Sequence, residues 1–389
     1  MALSRADRRG FADWWWTIDR VAFIAMLALI AIGLVLAFAA SPAATGGPVT
    51  AGDFRYAGKQ IAFALIAAGI LGSSSVLSMR AIKLTAAIVF AFAVIGCGLT
   101  LLTGDVVLGA KRWIDLGWFT FQPSEFVKPS FAVLGAAILA DRQPMAVRKE
   151  FITLGLVALP VVFLLFQPDV GQTGLLIALW GALLFFAGLP LYWMGIMAGG
   201  GAGLFIFAYT LFPHVQHRVS QYLAQMEDPE QAGYQVGLAL KAFEHGGFLG
   251  VGPGSGTIKY RLPDAHSDFI FAVAGEEFGF VLCAAITALF CVLTVRLLLR
   301  SARMRDPFAQ LAGAGLAIVI ALQAFINMGV AISLLPAKGM TLPFISYGGS
   351  SLFAVALTMG FALAVTRQRP QLAMREPQPS TFAMEARAI

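Results

Sequence analysis

Charge is what this sequence lacks most. Lysine, arginine, aspartate and glutamate make up 12% of its 389 residues, against 59% hydrophobic residues. A soluble domain carries about twice that charged share, which excludes a water-soluble globular protein. Cysteine is nearly absent. Cys97, Cys283 and Cys291 all lie within apolar stretches, read as small buried hydrophobes, and form no CxxC metal or redox pattern. Histidine is rare too. His214 and His217 stand three apart, a spacing compatible with a metal pair, but no third ligand stands at a matching distance. The net charge of +6 is carried by short Arg and Lys clusters between apolar runs, so it does not point to nucleic acid.

What the chain has is length in apolar runs. Mean hydropathy is +0.80. Runs able to cross about 30 Å of hydrocarbon recur from end to end. The fold class is therefore all-α, a polytopic integral membrane protein of about ten spans in one domain. The predicted spans are residues 21–40, 61–77, 84–102, 126–139, 151–166, 173–188, 191–212, 269–295, 308–335 and 347–365. No charge occurs between Asp169 and Arg218, too long for one helix, and Gly188-Leu189-Pro190 is the predicted turn that divides it.

Lys and Arg concentrate in alternate connections. Arg5, Arg8, Arg9 and Arg20, then Arg80 and Lys83, then Arg142, Arg148 and Lys149 belong to one set; so do Arg296, Arg300, Arg303, Arg305, Arg367, Arg369 and Arg375. That set is predicted to be cytoplasmic, with both termini. Residues 1–20 and 367–389 are then cytoplasmic tails around a ten-helix unit, 21–366, whose 213–268 connection faces outward. The first apolar run lacks a small-residue cleavage context and reads as a span rather than a signal peptide.

The outward face carries the unusual chemistry. One connection contains Lys111, Arg112, Trp113 and Trp118, followed by Glu125 and Lys128. It reads either as an interfacial anchor with a structural Glu125–Lys128 pair, or as cations for an anionic headgroup. Asp169, beside Pro168, reads as a helix cap. The 213–268 connection holds a short amphipathic helix over 238–243. It continues into a glycine-rich run, 246–256, which lets backbone approach a ligand closely. Lys259, Asp264, His266 and Asp268 follow, then Glu276 and Glu277 inside the next span. Asp268 or Ser267 can be the N-cap of that span, or Asp268 can be a reactive carboxylate. The two glutamates need a polar cavity or basic partners, and adjacent positions on one helix point different ways. Asn327 is a lone amide among apolar residues. Pro336, Lys338, Gly339, Pro343, Gly348 and Gly349 break helix near membrane depth, where irregular backbone lines cavities.

These segments carry a resemblance. GAKRWIDLG…FQPSEFVK, FQPDVGQT, HRVSQYL…DPEQAGYQ, GGFLGVGPGSGTIK, LPDAHSDFIFAVAGEEFG and LLPAKGMTLPFISYGGSS stand in this order along nearly the whole chain. With ten spans and a large outer loop before the eighth, the sequence resembles the SEDS family of peptidoglycan polymerases. FADWWWTIDR and the GPGSGTIK ending in Lys259 resemble its division branch more than its elongation branch. Asp264 stands where many members have Glu, and Ser267 where many have Thr.

The resemblance implies a glycosyltransferase that polymerises lipid II, with inversion, releasing undecaprenyl diphosphate. That reaction needs one base and cations on the leaving group. Asp268 matches the family's essential aspartate and is the implied base. Lys111, Arg112, Lys128, Arg218, Lys259 and Lys338 are implied diphosphate cations, with Glu125, His266 and Glu276 nearby. A divalent cation, Mg or Mn, bridging the diphosphate is compatible with this chemistry. The implied partners are the class B penicillin-binding protein FtsI, the FtsQ-FtsL-FtsB complex and FtsN, at the division septum of the inner membrane. An elongation polymerase, a lipid II flippase and a non-catalytic divisome scaffold are the competing readings.

Overall fold

Capped apolar runs set the architecture. The structure, a computed structural model, describes residues 10–45, 54–107, 110–143, 147–211, 216, 220, 234–336 and 339–367. A short helix, α1 (Gly10–Thr17), precedes the first span. Helices then stand at all ten predicted spans. The first seven are α2 (Arg20–Thr45), α3 (Arg55–Ser75), α4 (Met79–Thr103), α5 (Ser124–Ala140), α6 (Lys149–Phe166), α7 (Val170–Phe186) and α8 (Leu191–Leu211). The outer loop contributes α9 (Tyr234–Gly246), longer than the predicted 238–243 because its apolar face continues both ways. The last three spans are α10 (Ile270–Ala302), α11 (Pro307–Ala331) and α12 (Gly349–Val365). Ser78, Asp169 and Asp306 cap α4, α7 and α11 through side-chain oxygens that accept from Ala81, Gln172 and Phe308 N–H. Gly188, at φ +88°, makes the predicted turn between α7 and α8.

Six of these helices are long and apolar enough to cross a membrane by length and composition. Leu65, Phe92, Leu102 and Phe166 are 71%, 72%, 80% and 73% exposed, an outward apolar surface suited to lipid rather than water. The chain is a multi-pass membrane protein. Every residue of α12 is buried, so it is the central helix. Helix α3 packs on it closely: a Cβ at Gly360 would lie 1.8 Å from Ser74 Oγ.

The Lys111–Trp118 connection is not a flat interfacial segment. It folds as antiparallel strands, β1 (Asp105–Val107), β2 (Ala110–Asp115) and β3 (Thr120–Phe121). Asp115 Oδ1 accepts from Gly117 N–H (2.7 Å) to form the β2–β3 turn. Trp118 and Phe119 then lean edge-on against Phe63.

Helix α10 is broken at Gly279 (φ 72°, ψ −170°). Residues 247–252 run beside the break and complete its hydrogen bonding. Val251 and Gly252 N–H donate to the Glu276 and Glu277 carbonyls (3.0 Å each), and Phe280 N–H donates to Gly247 O (3.0 Å). Irregular backbone at this depth persists because protein supplies the missing partners. A Cβ at Gly279 would lie 2.4 Å from Gly250 N, so only glycine fits. At the far end of α10, Arg296 Nε lies 2.9 Å from Asp19 Oδ2, while Asp19 Oδ1 accepts from Ala22 N–H at the start of α2 (3.0 Å).

Candidate active site

The glycine-rich loop does not present its amides outward. Glu276 accepts from Thr257, Ile258 and Lys259 N–H (2.7, 2.8 and 3.1 Å) and meets His245 Nδ1 at 3.1 Å. Glu277 accepts from Gly254 N–H (2.9 Å) and pairs with Lys259 Nζ. The two glutamates thus find the basic partners their cost demands, His245 for Glu276 and Lys259 for Glu277, and although they point different ways both hold one segment, 254–259. Lys259, expected to face a headgroup, is 1% exposed and also donates to Ala39 O of α2 (2.8 Å). Its charge is committed to the scaffold, because an isolated buried glutamate would be strongly unfavourable.

Asp268 is not the helix cap. Phe269 holds that position and makes no side-chain cap bond. The backbone before α10 is instead pinned from outside. Tyr347 N–H donates to His266 O (3.0 Å), Ser346 Oγ to Ser267 O (2.5 Å) and Asn327 Nδ2 to Asp268 O (2.8 Å). The Asp268 side chain is half-buried, and Oδ2 lies 3.0 Å from a Cβ built at Gly339. Burial, first, and the neighbouring Asp264 charge push its carboxyl up from 3.8 to about 7; Arg112 opposes them, and Asp169 and Glu125 add to them. A carboxylate near neutrality is a competent base at physiological pH.

Beneath it lies a polar network across three spans. Lys128 Nζ donates to Glu125 Oε2 (2.7 Å) and Gln323 Oε1 (2.9 Å), and Gln172 Nε2 donates to Glu125 Oε1 (2.6 Å). The i,i+3 Glu125–Lys128 pair thus forms as its spacing predicts, with Lys128 1% exposed. Lys128 is occupied by the network, the structural alternative of the two readings. Asp169 Oδ2, Gln172 Oε1 and Asn327 Oδ1 have no hydrogen-bond partner among the described residues. Gln172, Gln323 and Asn327 share no local sequence motif; only Asn327 stood out, as a lone amide in an apolar run.

Lys111 and Arg112 remain the accessible cations. Among the described residues Lys111 Nζ reaches Leu101 O, at 3.5 Å. Arg112 donates to Pro168 O (3.0 Å), and its Nε lies 3.6 Å from Asp169 Oδ2. Both are partly exposed. A separate polar cavity of about 350 Å³ is lined by Ala43 and by residues 260–266, among them Arg261, Asp264 and His266. Tyr56 and Tyr347 pack on the His266 ring, at centroid distances of 4.8 and 5.4 Å. Burial lowers the His266 pKa, against the pull of Asp264, so its ring is neutral near pH 7. Arg218, Lys338, His214 and His217 lie outside the described residues. Among the described residues no three His, Cys, Asp or Glu side chains converge as a metal site. No step is therefore routed through a divalent cation.

A broken helix, a re-entrant glycine loop and a raised carboxyl at one membrane face are a specific combination. The family model described as Cell cycle protein, of FtsW, RodA and SpoVE, matches residues 19–371. The chain belongs to the FtsW/RodA/SpoVE family. A relative from Caulobacter vibrioides named probable peptidoglycan glycosyltransferase FtsW is 40% identical, covering 95% of this chain and 94% of its own. One of the same name from Halorhodospira halophila is 35% identical over 93% and 94%. Among solved structures, a chain from work on a peptidoglycan synthase complex that coordinates polymerization and crosslinking superposes with TM-score 0.74. It is 27% identical and covers 90% of this chain and 98% of its own. Rod shape determining protein RodA of Thermus thermophilus gives TM-score 0.65 at 25% identity, over 90% and 97%. This family membership agrees with the resemblance that the motifs carried.

Proposed function

We propose that this chain is a peptidoglycan glycosyltransferase that joins lipid II units into β-1,4 glycan. The observation that carries the mechanism is Asp268: a carboxyl raised toward neutrality, on backbone held by three external donors. It takes the proton from the 4-hydroxyl of an acceptor GlcNAc. That oxygen bonds C1 of a donor MurNAc as the C1–O bond to undecaprenyl diphosphate breaks, with inversion at C1. No second carboxylate is needed, because no water is activated. Lys111 and Arg112 take up the charge on the leaving diphosphate. Arg218 and Lys338, outside the described residues, join the cation set on the resemblance of their motifs alone. Lys128, Lys259, Glu125 and Glu276 act one step back, by fixing the helices and loop on which these groups stand. His266, neutral and stacked, forms the sugar-facing wall.

Relatives named FtsW support a role in division, and the likeness to a chain of a peptidoglycan synthase complex supports a crosslinking partner. By the resemblance of its motifs, that partner is the class B penicillin-binding protein FtsI, with FtsQ-FtsL-FtsB and FtsN as activators. In that setting the chain lies in the inner membrane at the septum. Its termini are cytoplasmic, and residues 213–268 are periplasmic. The test is purified protein in liposomes with labelled lipid II, with and without the partner. Glycan chains that vanish in Asp268→Asn support the assignment. Transbilayer movement of lipid II without polymer would replace it with a flippase.

A further inference from the structure

Three consecutive carbonyls, those of His266, Ser267 and Asp268, are each claimed by a donor from elsewhere in the chain. Two donors come from the loop before α12. The third, Asn327, comes from inside α11 and is 2% exposed. Its amide is the closest of the three to the reacting group. One N–H goes to Asp268 O at 2.8 Å, and Nδ2 also donates to Met340 O at 2.6 Å. Met340 follows Gly339, against which the Asp268 carboxylate lies. A single planar amide with two hydrogens in fixed directions therefore sets the spacing of the two backbone segments that flank the carboxylate. Its Oδ1 has no partner among the described residues, an arrangement that costs stability in a buried position. Packing alone would be served better by leucine, with the same number and branching of heavy atoms.

We infer that Asn327 is a positioning residue for Asp268: it fixes the carboxylate toward the acceptor hydroxyl without touching substrate. This rests on the reading of Asp268 as the base. Asn327 belongs to the α10–α12 core, whereas Lys111 and Arg112 stand on β2. Its loss therefore falls mainly on the reaction step, with any effect on lipid II binding limited to the neighbouring Lys338 segment. A misplacement on the order of 1 Å at a reacting group costs up to about 100-fold in rate.

The test compares wild type, Asn327→Leu, Asn327→Asp and Asp268→Asn as full-length protein with lipid II in liposomes. Initial rates are taken over a range of lipid II concentrations and pH, and thermal melting is recorded for each. Asn327→Leu keeps the number and branching of heavy atoms and removes both bonds. It should lower kcat by about 10- to 100-fold while KM stays within about threefold. The acid limb of the rate profile should move to lower pH, because water reaches a loosened carboxylate. Asn327→Asp, which turns an oxygen toward two carbonyls, should lose at least as much, and it decides by the same criteria if the leucine variant does not fold. A folded variant with kcat within about twofold of wild type, or with its whole loss in KM, overturns the inference. Asp268→Asn separates the two claims. If it is inactive while Asn327→Leu is normal, only the positioning role falls. If it polymerises normally, the assignment of Asp268 falls and takes this one with it.

Discussion

Polymerisation should rise about tenfold between about pH 6 and pH 8, because Asp268 must be ionised to accept a proton. Its carboxyl is held at about 7 rather than 3.8. One unit below that midpoint about one eleventh of the enzyme carries the base; one unit above, about ten elevenths does. Burial lowers the His266 pKa, which moves its own titration toward the acid side of this range. Arg112 lowers the Asp268 pKa, so Arg112→Gln should move the limb to higher pH. The same shift acts on stability in the opposite sense. The folded protein favours the protonated carboxyl more than the unfolded chain does. That contribution is intact below the unfolded midpoint near 3.8 and is lost as pH rises through about 7. Rate and melting temperature should therefore diverge with pH. The assay is initial glycan synthesis from labelled lipid II in liposomes, with melting measured on the same samples. A rate that is flat between about pH 6 and 8, or a limb that persists in Asp268→Asn, would refute the reasoning.

Other perturbations reach the surrounding structure. Lys259→Met leaves Glu277 buried with only the Gly254 amide, and should cost about 3–5 kcal/mol in denaturant unfolding; adding Glu277→Gln should recover part of it, and a silent Lys259→Met would mean the pair contributes nothing. Gly279→Ala meets both a left-handed backbone and Gly250 N, so it should abolish the monodisperse peak in size exclusion, whereas a normal yield would contradict the break. Neutralising Arg112 should weaken lipid II binding by about 1.5–3 kcal/mol if it holds the diphosphate, and unchanged affinity would remove it from the site. Cysteines at Gln231 and Arg303 should react with an impermeant reagent from opposite sides of the membrane; labelling from one side would overturn the orientation.

The spans were legible because a 30 Å apolar layer imposes a long, simple pattern on sequence. Gly188-Leu189-Pro190 and the Asp169 cap were local enough to read directly. Glu276-Glu277 announced themselves as costly, but their partners did not. Lys259 N–H and Nζ reach them only because the chain doubles back beside a helix broken at Gly279, and no local pattern distinguishes a tolerated glycine from a break. Lys128 and Lys259 looked like surface cations for the same reason, since charge is visible in sequence and enclosure is not. The β2 strand was hidden by its tryptophans, which suit an interfacial segment as well as a strand.

The contact between Lys259 and the Ala39 carbonyl spans 220 residues of chain. Synthesis proceeds at about 5–20 residues per second, so α2 enters the membrane roughly ten to forty seconds before the ammonium that completes it. Asp19 waits longer still for Arg296, 277 residues later. The early spans therefore pack fully only after the outer loop and α10 have been made. The residues that pin Asp268 arrive later again, from α11 and the segment before α12. A chain released after Arg303 would hold Asp268, the proposed base, and every glycine of its loop, yet lack the residues that pin it, so truncation products should be substrates for membrane proteolysis rather than weak enzymes.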